Sequence, residues 1–212
     1  MANEVLNIGR VLVENRDRKY SIRQLSLERQ INYKSAYNAV RKLEDAGIAV
    51  CERSGNITHC SFAQRLDPLV YEVEYERRKD LLKNKDMKAL YSRLSELPFS
   101  LVALLFGSYA KKTQAKGSNI DLLVVSDNRE EVERCVSLIP LDIHLNVFSF
   151  KEFSSMLLSK EFSVVSEAVK SNIILVGIED YYRLIENALL SAHLPFIPAI
   201  PISSQPPVSP GY

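Results

Sequence analysis

The sequence predicts an α+β protein built in two parts, and three observations carry that prediction. Residues 1–65 hold three stretches of helical periodicity, followed by two short alternating runs around Gly55. Residues 101–125 hold two apolar runs of strand length on either side of a Gly-Ser turn. The composition, 46% hydrophobic with 27 Lys+Arg against 26 Asp+Glu in 212 residues, is that of a globular chain able to bury a core. No apolar stretch approaches the roughly 18–20 residues that a membrane span needs. The N-terminus threads charges through its apolar positions, unlike a secretory signal. A cytoplasmic location with no membrane partner is therefore expected. Cys51, Cys60 and Cys135 match neither a disulfide framework nor a zinc-ligand spacing.

Taken in order, Leu6, Ile8, Val11 and Leu12 recur at helical spacing across Glu4–Asn15, and the charged run Asn15–Lys19 ends that helix. Ser21 followed by Gln24 has capping-box spacing and opens a second, short helix whose buried face begins at Leu25. From Tyr33 to Ala46, the residues Ala36, Val40 and Leu43 share one face, and Gly47 closes the helix. Ile48–Arg53, a turn at Ser54-Gly55-Asn56, and Ile57–Phe62 then read as a β-hairpin. With a two-residue turn at Gly55-Asn56, Cys51 falls opposite Cys60; two small buried thiols and a cross-strand disulfide are both open readings.

Three helices and a two-stranded wing make a winged helix-turn-helix. The run from Lys34 to Ile48, with its Leu43-Glu44-Asp45-Ala46-Gly47-Ile48 exit, resembles the recognition helix of that family in archaeal and bacterial regulators. The resemblance implies a double-stranded DNA partner, with Tyr33, Lys34, Tyr37, Asn38, Arg41 and Lys42 toward the major groove and Arg53 at the wing tip. Charge agrees in sign: residues 1–65 hold 11 Lys+Arg against 7 Asp+Glu. The alternative is a solvated helix face kept for protein contact.

Residues 66–87 are expected to be a helical linker, with Pro68 early in a helix and Tyr71, Tyr75, Leu81 and Leu82 among its apolar points. A solvated connector and a homodimer contact are its two readings. Residues 88–190 form the expected second domain. Leu101–Phe106 reads as a buried strand running into Gly107-Ser108, and Ile120–Val125 as a second strand. Gly107 lets backbone approach a ligand, Ser108 sits where a helix start favours phosphate, and Asp121 offers a carboxylate to a hard cation.

This pattern resembles the minimal nucleotidyltransferase domains of the polymerase β-type superfamily, whose motif is Gly-Ser-x-Ala-x-Gly, a spacer, then paired acids and a third acid on the next strand. The resemblance extends to Phe162–Ala168, Asn172–Gly177 and Tyr181–Ile185, and implies a mixed sheet flanked by helices. It also implies nucleoside triphosphate held at Gly107, Ser108, Lys111 and Lys112. Mg²⁺ would then be held by Asp121, Asp142 and the Asn119 position.

Two departures qualify this reading. Asn119 stands where the family has its first paired Asp, and Lys112 where it has a second Gly. An amide contributes no charge to a cation site. The run Leu141–Val147 alternates, placing Asp142, His144 and Asn146 on one face, with Asp142 chosen as the third acid and the other two as register alternatives. Three outcomes follow: a DNA-binding transcriptional regulator with a degenerate, nucleotide-binding transferase domain; an active transferase moving a nucleoside monophosphate to a protein, RNA or small-molecule acceptor; or one component of a toxin–antitoxin pair, with a toxin-like protein partner. Residues 191–212 are a Pro-rich tail, with six of the nine prolines after His193, read as an extended segment.

Overall fold

The computed structural model describes residues 2–111, 113, 118–159 and 161–193. Lys112, Gly117 and the Pro-rich tail beyond residue 193 lie outside the described residues.

Helix α1 (Ala2–Glu14) is followed by the two-residue strand β1 (Tyr20–Ser21) and by α2 (Ile22–Glu28). Ser21 accepts from the Gln24 N–H while the Gln24 side chain reaches back to Ser21, the capping box that the sequence announced. Helix α3 (Tyr33–Asp45) is capped by Asn32 and ends at Gly47, whose φ of +70° suits only glycine well. Strands β2 (Ala49–Ser54) and β3 (Ile57–Phe62) form the hairpin, with Cys51 directly opposite Cys60. Strand β1 adds to β3, giving the order β1-β3-β2 where a two-stranded hairpin was expected. Two residues carry no periodicity, so β1 was invisible in the sequence.

Helix α4 (Pro68–Leu81) starts on an Asp67 cap with Pro68 in its first turn, and α5 (Lys85–Ser95) starts on Asn84. The segment expected as a solvated connector or a dimer contact buries Val70, Val73, Glu74 and Arg77, whereas Tyr71 and Tyr75 are exposed. Half of its buried stripe is charged, which hides the burial from hydropathy.

The second sheet has the order β6-β5-β4-β7, from β4 (Val102–Leu105), β5 (Ile120–Val125), β6 (Ile143–Phe148) and β7 (Ile173–Val176). It is mixed: β4 runs antiparallel to β5 and β7, while β5 and β6 are parallel across α7 (Arg129–Ser137). The one-turn helix α6 (Gly107–Ala110) follows β4; α8 (Phe150–Leu158), α9 (Val164–Lys170) and α10 (Ile178–His193) are the last helices among the described residues.

Helices α5 and α7 cover one face of the sheet, with Met87, Leu90, Leu94, Val132 and Val136 against Ala103, Leu105, Leu122 and Val124. The other face, Val102, Leu104, Leu123 and Val125, packs on Phe153, Val165, Tyr181 and Ile185. The same apolar cluster continues without a break into Leu12, Leu25, Val40, Leu43 and Phe62 of the N-terminal part.

A buried polar network crosses that junction. Arg16, in the turn after α1, donates to Glu74 of α4 and to the Tyr181 hydroxyl of α10 at 2.8 Å. Arg77 donates to Glu74 at 2.7 Å and to the Asn172 carbonyl at 2.7 Å, and the Tyr182 hydroxyl donates to Glu74 at 2.8 Å. Burial pushes the Tyr182 phenol well above its ordinary range, so it stays a neutral donor to the carboxylate.

Candidate functional site

Strand β4 carries the chain into Gly107 at φ +63°, a backbone conformation that L side chains rarely adopt. The reason lies next to it: a Cβ at Gly107 would fall 2.2 Å from Asp121 Oδ2. The neighbouring Phe106 N–H donates to the Asp121 carbonyl at 3.1 Å. The bend and the acid therefore converge. Helix α6 spans only Gly107–Ala110, so little dipole accumulates along it; what the turn presents is the set of first-turn N–H groups that no helix of this length can pair internally. Ser108 lies in that turn, half-buried.

The parallel register places His144 of β6 beside Asp121 of β5, with His144 Nδ1 3.4 Å from Asp121 Oδ1. The Asp121 side chain is 29% exposed and His144 66%, so the pair is open to solvent. Asn119 is exposed, just before β5. Asp142, chosen from the sequence as the third acid, is exposed just before β6, and its carbonyl accepts from the Ile120 N–H at 2.9 Å. Asn146, on the same face as His144, has a buried Nδ2 without a hydrogen-bond partner. The alternation of the strand showed that Asp142, His144 and Asn146 share a face, but only the pairing of β6 with β5 selects the one that meets Asp121.

Among the described residues no three or more His, Cys, Asp or Glu side chains group as a metal site. The one carboxylate and the imidazole that meet here fall short of the donor set for the bridged pair of cations that the resemblance implies.

Lys111 is exposed and its Nζ lies 3.7 Å from Glu167 of α9. Beside α6 opens a cavity of about 640 Å³ between α1, α4 and the start of β7, lined by Arg10, Arg18, Arg77, Tyr109 and Lys111 among others. It has room for a small molecule. Asp121 does not line it, so it lies beside α6 and apart from the carboxylate. Nothing in the sequence signalled this cavity, because its walls come from segments far apart in the chain.

On α3, Tyr33, Lys34, Tyr37, Asn38, Arg41 and Lys42 are all exposed. Arg41 pairs with Glu44 at 2.6 Å, and Arg53, exposed on the hairpin, donates to the Gly55 carbonyl at 3.1 Å. These side chains share the solvent side of the helix, opposite Ala36, Ala39, Val40 and Leu43.

The family model for polymerase beta, nucleotidyltransferase matches residues 88–181, the segment that contains the bend, Asp121 and His144. Those residues form a polymerase beta-type nucleotidyltransferase domain. One similar solved structure is the crystal structure of the toxin-antitoxin with AMP-PNP: 16% identity, 50% of this chain and 86% of that chain covered, TM-score 0.35. No curated protein matches the chain. Among the described residues no helix is long and apolar enough to cross a membrane. The transferase domain begins inside α5, so α1–α4 and β1–β3 lie outside the matched segment.

Proposed function

We propose that this chain is a DNA-binding regulator whose nucleotidyltransferase domain holds a nucleoside triphosphate, accompanied by Mg²⁺, and transfers it poorly or not at all. The observation that carries the nucleotide half is the contact of Gly107 with Asp121, where a Cβ would sit 2.2 Å from the carboxylate oxygen. A polyphosphate laid on the bend at Gly107 and Ser108 has the carboxylate within reach. Asn119 supplies no second charge there, and that supports binding without efficient turnover.

The DNA half is supported by the exposed cationic and amide groups of α3, together with Arg53 on the hairpin, in a part of the chain read as a winged helix. Lys and Arg on such a face meet phosphates, while Asn38 and Arg41 address base edges.

Titration calorimetry with ATP, CTP and GTP in the presence of Mg²⁺ tests the first half, and pyrophosphate release tests turnover. Expected are measurable heat with at least one nucleotide, near-background release, and a rise in release for Asn119→Asp. No heat with any of the three ends the nucleotide reading. Substantial release by the unaltered chain replaces it with an active transferase. For DNA, fluorescence anisotropy with a random duplex should show affinity falling as salt rises, because phosphate contacts release counterions; binding that ignores salt, or no binding, points to a protein-contact face.

A further inference from the structure

Cys51 and Cys60 face each other as a directly opposed pair on β2 and β3, with their sulfurs 3.0 Å apart. Both are free thiols. That separation exceeds an S–S bond of about 2.05 Å by roughly 1 Å, so closing it asks for small χ1 adjustments and no backbone shift on the scale of a strand. The two differ in access: Cys51 is half-buried and Cys60 is fully buried in the apolar cluster beneath the hairpin. An oxidant from solvent meets Cys51 first, and Cys60 is positioned behind it to finish the reaction. Cys135 belongs to α7, where its thiol points to the Arg93 carbonyl at 3.6 Å, in a different apolar cluster from Cys60.

We infer that Cys51 and Cys60 form a reversible intramolecular disulfide, a thiol-modification site in the hairpin that faces small-molecule disulfides. The step balances as an exchange. The Cys51 thiolate attacks one sulfur of the small disulfide, releasing one thiol and forming a mixed disulfide. Cys60 then loses its proton and attacks the Cys51 sulfur, releasing the second thiol. Two cysteine thiols are oxidised, one small disulfide is reduced to two thiols, and no other reductant or oxidant enters. The bond pins the register of the hairpin that carries Arg53. It rests on the pairing of β2 with β3 alone, and neither on nucleotide nor on DNA binding.

The test uses the full chain, equilibrated with dithiothreitol or with graded ratios of oxidised to reduced glutathione until no further change occurs, then acid-quenched, unfolded and alkylated for intact mass. Expected is a fall from three alkylated thiols to one as the ratio rises, with peptide mapping joining Cys51 to Cys60, and full return to three on reduction. Cys51→Ser, at a half-buried position, should show two alkylated thiols after reduction and no Cys60–Cys135 bond after oxidation. Three alkylated thiols at every ratio overturn the inference. So does a bond to Cys135 or between chains, and so does a stable glutathione adduct at Cys51 that Cys60 fails to displace.

Discussion

Gly107 and Gly55 share a backbone conformation, with φ of +63° and +59°, but not a setting. Around Gly55 an added Cβ meets nothing within 4 Å, whereas at Gly107 it meets the Asp121 carboxylate. Gly55→Ala should therefore cost only the left-handed backbone term, about 1 kcal/mol. Gly107→Ala adds a clash that only movement of Asp121 relieves, for a total of about 2–4 kcal/mol, and should also abolish the calorimetric heat of nucleotide binding. Thermal denaturation of the two variants side by side separates the terms; equal losses would mean that the Gly107–Asp121 contact is unimportant. The sequence singles out Gly107 as a turn glycine and Asp121 as an acid at the start of a strand, and these two residues come together in the fold. His144 was visible only as one of three candidates, because alternation specifies a face and not a neighbour.

Among elements, α4 shows how charge conceals burial. Glu74 takes hydrogen bonds from Arg16, Arg77 and Tyr182 on three separate segments, with side-chain exposures of 0% for Glu74 and 1% for Arg16. Glu74→Gln keeps the shape but leaves the buried Arg16 guanidinium without its counter-charge and Arg77 with Glu14 alone, 4.0 Å away, and should lower stability by about 3–5 kcal/mol in urea unfolding. Glu52→Gln, which breaks the exposed pair of Glu52 with Lys19, should leave the urea midpoint unchanged. A drop no larger for Glu74 than for Glu52 would show that the network does not bind the elements together.

A second link between α1 and α4 is pH-sensitive. Hydrogen bonds from Lys83 and Arg10 hold the Asp80 carboxyl down to about 2, below its ordinary 3.8. A depressed carboxyl stabilises the fold above its unfolded value and loses that contribution as pH falls toward 2. Asp80 is 45% exposed, so solvent screening limits the effect to well under about 1 kcal/mol. The small stability gap between the unaltered chain and Asp80→Asn should stay constant from about pH 7 to pH 5 and narrow only below about pH 4. A gap that is already closing near neutral pH would contradict this assignment.

For the whole molecule, the decisive feature is the single apolar cluster running from Leu12 and Leu43 through Val70 and Val73 to Leu104, Leu123 and Tyr181. Parts that share a core unfold together. Scanning calorimetry should therefore show one transition, with calorimetric and van't Hoff enthalpies in agreement; two resolved peaks, one lost on deleting residues 1–65, would show that the parts are energetically independent. If the single transition holds, the proposed nucleotide at the bend and the proposed DNA on α3 would act on one cooperative unit, which is the physical condition for each to influence the other.

The sequence by itself determined the local structure. The Ser21–Gln24 capping box, Gly47 at the end of α3, the Cys51–Cys60 register and the strand–Gly-Ser–strand motif are all set by residues near one another in the chain. Tertiary structure decided what depends on distant partners: that β6 pairs with β5 so that His144 meets Asp121, that α4 is internal although half of its buried stripe is charged, and that the cavity beside α6 exists. The physical reason is range. Caps and turns are settled by bonds a few residues long, whereas strand pairing, buried ion networks and cavities are settled by segments that meet only after the chain has folded.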